Sequence, residues 1–351
     1  MALKQMGSRP DRRVTVRAIA AETGLSIATV SRALNGHPHV APDKQEAVRQ
    51  AVDRLGQQDP GGPAAARTAA PAVFVRCPYE LTDYFGLIVS SIAETLQLHG
   101  RNAILDAGQL AQHETVLPTL ATRPGIDAAL LILPPEPAED LQHLRDQRFP
   151  FVVIDPRTPP PRDIPAVSAA HYSGARALTE HLLDLGHRRI GVLAGPQNWL
   201  AGKARLAGHT SALADLGTLT DPTLIRTAEP TVQYGQRAAD ELLDLPDPPT
   251  AIIGFNDKVA VGILATAARR GLRVPADLSV TGFDDIDLAT ATTPQLTTVR
   301  QPLQEMGRMA VSLVIRLLEQ HRLDALHIEL ATDLVVRAST AAPSAERRPV
   351  R

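Results

Sequence analysis

Residues 14–35, VTVRAIAAETGLSIATVSRALN, have the pattern of two short helices joined by a tight turn. Apolar residues such as Ile19 and Ala20 fall at helical spacing and give the first helix one buried face. Gly24 suits the turn, and the Ser26 hydroxyl can cap the second helix by accepting a backbone N–H. This arrangement predicts a helix–turn–helix that inserts its second helix into the major groove of DNA.

The second of these helices has two faces of different chemistry. Its inward face is apolar, with Val30, Ala33 and Leu34. Its outward face carries Ile27, Ala28, Thr29, Ser31 and Arg32. Such a face suits base edges and phosphates better than a protein core. Two ordinary helices of a small bundle are the alternative, which the coincidence of turn, cap and outward face disfavours.

A third helix is predicted over residues 41–56, where apolar residues recur at helical spacing between Pro42 and Gly56. Residues 1–58 would then form a compact, all-α DNA-binding head. Nine Lys/Arg and five Asp/Glu give residues 1–56 a net charge of +4, so the rest of the chain, in a total of −2, carries −6. This asymmetry is typical of a DNA-binding head on a mildly acidic body.

Residues 59–71, DPGGPAAARTAAP, have the composition of a linker. The single cysteine, Cys77, allows no disulfide framework within one chain. The sequence shows no N-terminal signal segment and no apolar run of about 18 residues. We therefore expect a cytoplasmic protein that associates with the nucleoid when it is bound to DNA.

From residue 72 to about residue 336, short apolar runs alternate with helical stretches. The runs include AVFV (72–75), AALLIL (128–133), FVVID (151–155), IGVLAG (190–195) and AIIGF (251–255). Such alternation, with strands that are apolar on both faces, predicts parallel, doubly wound α/β sheets. About 265 residues are too many for one such sheet. We expect two subdomains with a ligand cleft at the carboxyl ends of their strands.

Polar residues follow two of the predicted strands. Asn256 and Asp257 come after AIIGF, and Asp284 and Asp285 come after SVTGF. A carboxylate at such a position can accept two hydroxyl donors, which suits a sugar. We assign Asp284 to ligand binding, and Asp257 and Asp285 to helix N-capping.

The sequence lacks the motifs of several common enzyme classes. It has no GxGxxG fingerprint, no Walker-type glycine–lysine loop and no GxSxG elbow. Its eleven histidines form no HExxH pattern and show no close spacing with cysteine. We therefore expect no enzymatic activity, no cofactor and no metal.

Three segments of the core carry a family resemblance. They are HLLDLGHRRIGVLAG followed by ARLAGHTSAL, GFNDKVAVGILATAARRGLRVPADLSVTGFDDIDLA, and PQLTTVRQP. With the helix–turn–helix and a third helix ending at Gly56, they resemble the LacI/GalR family of bacterial transcription regulators. The resemblance implies a core like that of a periplasmic sugar-binding protein, in which the chain crosses between subdomains near Val167, Val299 and Leu326.

The resemblance also implies domain boundaries and an assembly. The parts are a head (1–58), a hinge or linker (59–71), an N-subdomain (72–167 plus about 300–326), a C-subdomain (168–299 plus about 327–340) and a disordered tail (341–351). The tail has no heptad pattern, so we expect a homodimer rather than a tetramer. Such a dimer would present two recognition helices to a pseudo-palindromic operator in double-stranded DNA.

Individual residues receive roles from the same resemblance. The DNA-binding residues are Thr15, Ser26, Ile27, Ala28, Thr29, Ser31, Arg32, Asn35, Arg67 and Ala69. The effector-binding residues by family position are Tyr84, Phe85, Arg205, Asn256, Asp284 and Gln301. Ile27 and Ala28 occupy the base-reading positions and offer only apolar contact. Specificity is therefore expected to depend more on Arg32 and on DNA shape.

Aromatic residues near the predicted cleft have two interpretations. Trp199, the only tryptophan, lies in the loop GPQNWLAG and can either stack on a sugar face or pack in a surface loop. Tyr84 and Phe85 align with paired aromatics that line the cleft in the family, and core packing is their alternative. We include all three among the effector-binding candidates.

The sequence departs from the family pattern at two places. The slot of the hinge leucine, which wedges into the minor groove, holds Ala69, and an alanine methyl is a poor wedge. A plain flexible tether is the alternative for this segment. In SAAHYSGA, Ala170 and His171 take the slots of an Asp-Asn pair whose aspartate contacts ligand. This loss implies a ligand other than the common hexoses, or looser binding, with His171 either a partial replacement or a structural residue.

The sequence therefore predicts a DNA-binding transcription regulator, a repressor, whose operator affinity is controlled by a small molecule in the cleft. A sugar is the expected effector, and a nucleobase or nucleoside is the alternative. The effector would act by binding one closure state of the cleft more tightly than the other. A soluble small-molecule binding protein without a DNA role is the rival of another class, and residues 14–56 argue against it.

Overall fold

The computed structural model describes residues 16–26, 29–30, 33, 41–57 and 72–344. The chain divides into two compact units, residues 1–68 and 69–351. This division falls inside residues 59–71, the predicted linker. The first unit contains the predicted helix–turn–helix, and the second contains the predicted α/β core.

The described part of the first unit includes the helices α1 (Val16–Thr23) and α2 (Pro42–Gln57). Helix α1 ends before Gly24, whose φ of 68° lies in the left-handed region that glycine adopts without strain. Ser26 Oγ then accepts a hydrogen bond from the Thr29 backbone N–H at 3.2 Å, so the predicted cap is confirmed. The core of this unit contains Ile19, Val30, Val48 and Ala51.

The second unit alternates strands with helices along the chain. In order, its elements are β1 (Ala72–Cys77), α3 (Asp83–Leu98), β2 (Asn102–Ala107), α4 (Leu117–Leu120), β3 (Ile126–Ile132), α5 (Ala138–Asp146), β4 (Phe151–Ile154), β5 (Ala166–Ala169), α6 (His171–Asp184), β6 (Ile190–Ala194), α7 (Leu200–Asp215), β7 (Ile225–Thr227), α8 (Val232–Leu243), β8 (Ala251–Gly254), α9 (Asp257–Arg269), β9 (Ser279–Thr281), α10 (Asp287–Ala291), β10 (Thr298–Arg300), α11 (Leu303–Leu318), β11 (His327–Leu330) and β12 (Asp333–Val335). Two 3₁₀ helices, Gln109–His113 and Pro222–Leu224, lie in the loops.

These strands form two parallel sheets. The first has six strands in the order β11-β5-β4-β3-β1-β2, and the second has four in the order β7-β6-β8-β9. Neighbouring strands run parallel throughout both sheets. Strands β10 and β12 form a separate antiparallel pair. The predicted core of two doubly wound, parallel α/β sheets is thus present.

Strand pairing corrects the position of two predicted chain crossings. Strand β5 pairs with β11 in the first sheet, from Ala166 opposite His327 to Ala169 opposite Leu330. The crossings expected near Val167 and Leu326 therefore fall after these strands end, because both strands complete their pairing within the first sheet. The crossing expected near Val299, within β10 (Thr298–Arg300), stays a prediction.

Helices cover both faces of each sheet. On the first sheet, α3 and α11 enclose one apolar core, which includes Ile92 and Met306, and α4 and α5 enclose another, which includes Leu117. The second sheet is covered in the same way by α6 and α7 on one face and by α8 and α9 on the other. Burial on both faces explains why the strand sequences are apolar throughout instead of alternating. None of the helices formed by the described residues is long and apolar enough to span a membrane.

Candidate effector site

A cavity of about 520 Å³ lies in the second unit where strands of both sheets reach their carboxyl ends. Its polar lining comprises Thr82, Gln112, His113, Asp155, Arg157, Arg205, Glu229, Thr231, Asn256, Lys258 and Asp284. Its aromatic lining comprises Tyr79, Tyr84, Phe85, Trp199 and Phe255. Parallel strands end at the same edge of a sheet, so residues that follow them gather there. The volume is in the range of small-molecule sites.

Six of the seven effector-binding residues expected from the sequence line this cavity, namely Tyr84, Phe85, Trp199, Arg205, Asn256 and Asp284. The seventh, Gln301, is buried behind Asp284 and donates its Nε2–H to Asp284 Oδ1 at 2.6 Å. Gln301 thus supports the carboxylate instead of forming the cavity wall. Whether these residues contact an effector stays a prediction.

Asp284 follows β9 and is almost fully buried. Its φ of 121° lies in a region that residues other than glycine rarely adopt, so the loop holds it at a conformational cost. Burial raises the pKa of Asp284 to about 6, and Arg205, whose Nη2 lies 3.7 Å from Oδ1, opposes that rise. The carboxyl group therefore has an incompletely compensated charge facing the cavity.

Arg205, on α7, is held between two aromatic rings. Its guanidinium carbon lies 3.7 Å from the ring centroid of Phe283 and 4.5 Å from that of Phe255. Its Nη1–H donates to the Phe255 carbonyl oxygen at 2.7 Å. Its Nε is buried, and the described residues provide no acceptor for it. Arg205 is thus rigidly oriented and retains an unused donor.

The structure corrects the assignments at two neighbouring loops. Asn256, and not Asp257, caps α9, because Asn256 Oδ1 accepts the Val259 N–H at 3.0 Å. Fully buried Asp257 instead accepts hydrogen bonds from the Thr298 hydroxyl at 2.6 Å and the Ile286 N–H at 3.1 Å. Burial and the Asp284 charge raise the pKa of Asp257 well above its usual range.

The N-capping role predicted for Asp285 is also wrong. Its two carboxylate oxygens form ion pairs with Arg300 at 2.7 Å and Arg337 at 2.6 Å. Helix α10 has Ile286 as its N-cap residue, without a side-chain cap. Asp285 therefore joins the end of β9 to the β10–β12 pair.

Asp155 is a buried carboxylate of the cavity that the sequence analysis missed. It follows β4, and its Oδ2 accepts the Tyr84 hydroxyl proton at 2.9 Å. Its Oδ1 lies 2.7 Å from His171 Nε2. Burial alone would raise the pKa of Asp155, but His171, Arg205 and Tyr84 together lower it. The signal was present in the run FVVID, whose last residue is a carboxylate at a strand end.

The aromatic candidates form part of the wall rather than a sealed core. The rings of Tyr79 and Phe85 are stacked, with their centroids 4.8 Å apart and an interplanar angle of 6°. The ring of Tyr84 contacts Phe85 edge-on. The Trp199 ring lies 4.7 Å from the guanidinium carbon of Arg157. The buried Nε1 of Trp199 has no acceptor among the described residues.

A buried arginine holds in place the loop whose residues Gln112 and His113 line the cavity. Arg76, on β1, forms ion pairs with Asp106 and Glu136. Its Nη2 also donates to the Ala111 carbonyl oxygen at 2.8 Å, which lies in the 3₁₀ helix Gln109–His113. This interaction orders one wall of the site from inside the first sheet.

Most of the predicted DNA-binding residues lie outside the part of the chain that the structure describes. Of that set, Ser26 and Thr29 are described, and they form the helix cap. Thr15, Ile27, Ala28, Ser31, Arg32, Asn35, Arg67 and Ala69 lie outside the described residues. Their roles on DNA stay predictions.

The described side chains that line the cavity have the chemistry of a binding surface for a polar ligand. Burial raises the pKa of the Cys77 thiol to about 12, so this cysteine is not a thiolate nucleophile at neutral pH. Among the described residues, no three His, Cys, Asp or Glu side chains are grouped so that they could hold a metal ion. Carboxylates, an arginine and aromatic faces instead form a surface for a hydroxylated ligand.

Comparisons with known proteins agree with this architecture. Residues 15–58 match bacterial regulatory proteins of the lacI family, and residues 179–340 match a periplasmic binding protein-like domain. The chain is 32% identical over 332 residues to the HTH-type transcriptional repressor CytR of Escherichia coli (strain K12), covering 93% of this chain and 96% of that protein. It is 31% identical over 337 residues to the HTH-type transcriptional regulator CelR of Thermobifida fusca, covering 93% and 98%.

A solved structure shows the same fold. The complex of the transcriptional regulator CelR with cellobiose aligns with a TM-score of 0.71 and 30% identity over 93% of this chain and 100% of that one. The lacI-family match of residues 15–58, the two-sheet core and identities above 30% over nearly the whole length lead to one conclusion. The chain belongs to the lacI family of bacterial regulatory proteins, which are DNA-binding transcription regulators.

Proposed function

We propose that the chain is a transcriptional repressor whose operator affinity is controlled by a sugar bound in the 520 Å³ cavity. The observation that carries this proposal is the pairing of Asp284 with Arg205 at the floor of the cavity. A carboxylate accepts hydroxyl protons and a guanidinium donates to hydroxyl and ring oxygens, so the pair can bind neighbouring hydroxyls of one sugar ring.

The aromatic wall supports a sugar as the effector. Tyr84, Phe85 and Trp199 present apolar faces beside the Asp284–Arg205 pair, and such faces suit the C–H surface of a pyranose or furanose ring. The related regulator CelR has been solved with cellobiose. A mono- or disaccharide is therefore the class of effector that we favour.

A nucleoside is the second candidate, and one observation favours it. The parallel stack of Tyr79 and Phe85 offers a flat aromatic surface on which a base could stack, while Asp284 and Arg205 bind ribose hydroxyls. The two candidates share the hydroxyl-binding floor. They differ in whether the aromatic wall contacts a base or a second sugar ring.

We propose that the protein acts as a homodimer on a pseudo-palindromic operator in the cytoplasm. Edge strand β2 leaves Ile104 and Leu105 exposed at 43% and 45%, and Leu98 and Leu110 nearby on the chain are exposed at 86% and 84%. A second copy covering this apolar edge would remove it from water. Each protomer would then contribute one recognition helix to one half-site.

The proposed mechanism is a shift between closure states of the cleft. Tyr84, on α3, and Asp155, after β4, lie on the side of the first sheet. Arg205, on α7, and Asp284, after β9, lie on the side of the second sheet, so closure brings two half-sites together. A ligand that contacts both halves binds the closed state more tightly and shifts the population by its differential affinity. We propose no catalytic step in this cycle.

Two measurements test this function. Operator fragments selected from genomic DNA by the full-length protein should bind in a salt-sensitive way in fluorescence anisotropy, because phosphate contacts release counterions. Thermal-shift titrations with cellobiose, glucose, ribose, adenosine and uridine should raise Tm for members of one class, since a ligand of the native state stabilises it. Failure to bind any selected duplex would contradict the regulator function. If none of the sugars raised Tm, the favoured effector class would be contradicted.

A further inference from the structure

His171 occupies a buried position between the two halves of the cavity floor. It begins α6, directly after the chain leaves β5. Its Nε2 lies 2.7 Å from Asp155 Oδ1, and its Nδ1 lies 3.3 Å from Arg205 Nη2. A carboxylate of the first half and a guanidinium of the second are thus joined through one imidazole ring, which is 4% exposed.

The chemistry of these neighbours determines where the imidazole proton is. A guanidinium carries only donors, so Nδ1 can interact with Arg205 only if it keeps its lone pair. The ionised carboxylate of Asp155 carries only acceptors, so Nε2 must bear the hydrogen. Both contacts are therefore satisfied by one species, the neutral imidazole protonated at Nε2.

We propose that His171 is a positioning residue of the effector site: its neutral imidazole holds the Asp155 carboxylate and the Arg205 guanidinium in the orientation in which they meet effector hydroxyls. This inference rests on the proposed function, because it assigns a specific task to one residue of the proposed site. It also gives a role to His171 in SAAHYSGA, where the sequence departs from the family pattern.

The bonding around His171 leaves the right groups free for a ligand. Asp155 receives one donor on each oxygen, from Tyr84 and from His171, and each oxygen keeps a further lone pair. Arg205 uses Nη1 for the Phe255 carbonyl and Nη2 for His171, while Nε has no acceptor among the described residues. The imidazole therefore fixes both groups without consuming their capacity to bind hydroxyls.

The first test measures the tautomer directly and requires no effector. The full-length protein is labelled with ¹⁵N-histidine, and the His171 signals are identified by their absence from the His171→Asn variant. At neutral pH we expect a protonated Nε2 and an unprotonated Nδ1 in two-bond ¹H–¹⁵N spectra. A ring protonated at Nδ1 alone, or at both nitrogens, would overturn the proposal, because Arg205 would then face a donor.

The second test separates the two contacts by substitution. The His171→Asn amide oxygen can replace Nδ1 as the acceptor for Arg205, while the His171→Gln amide can replace Nε2–H as the donor to Asp155. His171→Phe removes both. We expect each amide variant to weaken cellobiose binding about tenfold, because it loses one charge-assisted hydrogen bond. His171→Phe loses both and should weaken binding about a hundredfold. Equal affinity in all three would overturn the proposal.

His187 provides a matched control for the loss of a buried histidine. It is 1% exposed, and both of its ring nitrogens are hydrogen-bonded, to the Thr250 hydroxyl and the Ala341 carbonyl, away from the cavity lining. His187→Asn should lower Tm without changing the Kd for cellobiose. If the His171 variants, like His187→Asn, lower Tm without changing the Kd for cellobiose, His171 is a structural residue and the proposal fails.

The two tests distinguish failure of this inference from failure of the proposed function. Should wild-type protein bind none of cellobiose, glucose, ribose, adenosine and uridine, the proposed effector classes are wrong. The ¹⁵N-histidine spectrum still decides whether His171 holds Asp155 and Arg205 as inferred. If a nucleoside replaces cellobiose as the ligand, the same three variants are titrated with that nucleoside.

Discussion

Asp155 and Asp284 lie on opposite walls of one cavity and are equally buried, each with 6% of its surface exposed. The pKa values of their carboxyl groups are nevertheless shifted in opposite directions. The pKa of Asp155 is lowered, whereas burial raises the pKa of Asp284 to about 6. Because burial is the same for both, the difference must come from the charged and hydrogen-bonding neighbours of each carboxylate, with His171 the main lowering neighbour of Asp155 and Arg205 that of Asp284.

The donors explain this contrast. Asp155 receives the Tyr84 hydroxyl at 2.9 Å and His171 Nε2 at 2.7 Å. Asp284 receives Gln301 Nε2 at 2.6 Å, while Arg205 Nη2 stays 3.7 Å away, beyond hydrogen-bonding distance. Both oxygens of the Asp155 carboxylate thus have a hydrogen-bond donor before a ligand arrives, whereas only one oxygen of Asp284 has one. Asp284 therefore gains more from the hydroxyl donors of an effector.

The largest predicted effect is a stability change of opposite sign in two isosteric variants. The folded-state pKa of Asp284 is above its unfolded value, so its contribution to stability is present below about pH 4 and is lost as pH rises through about 6. Asp284→Asn should therefore raise the free energy of unfolding at pH 8 by up to about 3 kcal/mol. Near pH 4 it should have little effect.

Asp155→Asn should act in the other direction. Its folded-state pKa is lowered, so the stability that it contributes is present above the unfolded value and disappears in acid. The variant should be less stable than wild type at pH 8, and the gap should close as pH falls. Urea denaturation at both pH values measures these differences. Two variants that shift stability in the same direction at pH 8 would remove the contrast between the walls.

The second effect concerns ligand affinity. Asp284→Asn replaces an ionised acceptor with a neutral one, which weakens each hydroxyl contact, and we expect about a thirtyfold increase in the Kd for the effector. Trp199, the only tryptophan, lines the cavity, so its fluorescence can report binding directly. A stabilised variant that retained wild-type affinity would show that Asp284 does not contact the effector.

The fold and one wall of the site were open to prediction from sequence, and particular residues show where prediction stopped. The α/β core followed from runs such as AALLIL, because strands buried on both faces have no other common explanation. Asp284 was identified because it follows a strand and matches a family position. The crossing near Leu326 was displaced because β11, HIEL, is short, has alternate residues exposed and lacks the apolar run that marks the other strands.

The rest of the site depended on contacts between distant residues. Asp155 and His171 are 16 positions apart, and His171 meets Arg205 across 34 positions, so no local pattern connects them. The cap that Asn256 provides was assigned to Asp257, because adjacent polar residues at a helix start are equally compatible with a cap. Fully buried Arg76 was not singled out, since its acidic partners, Asp106 on β2 and Glu136 before α5, are distant from it in sequence.

Removal of a donor from the Asp155 carboxylate should have a smaller effect than either carboxylate variant. Tyr84→Phe deletes the hydroxyl that donates to Asp155 Oδ2 and keeps the edge-on contact of the ring with Phe85. At pH 8 we expect a loss of about 1.5 kcal/mol, typical of a hydrogen bond to a charged group. The pKa of Asp155 should rise in a carboxyl-selective NMR titration. An unchanged titration would mean that the other donors alone account for the low pKa.

The smallest effect is expected beside Asp284, at the aspartate that we place outside the binding surface. Arg300 pairs with Asp285 at 2.7 Å, but the Arg300 side chain is 55% exposed, so solvent screens the pair. Asp285 also keeps Arg337 as a second, more buried partner. Arg300→Ala should therefore cost no more than about 0.5 kcal/mol in thermal or urea denaturation and leave effector Kd unchanged. A several-fold change in Kd would mean that Asp285 transmits its ion pairing to Asp284 through the shared backbone, and the two adjacent carboxylates would have to be treated as one unit of the site.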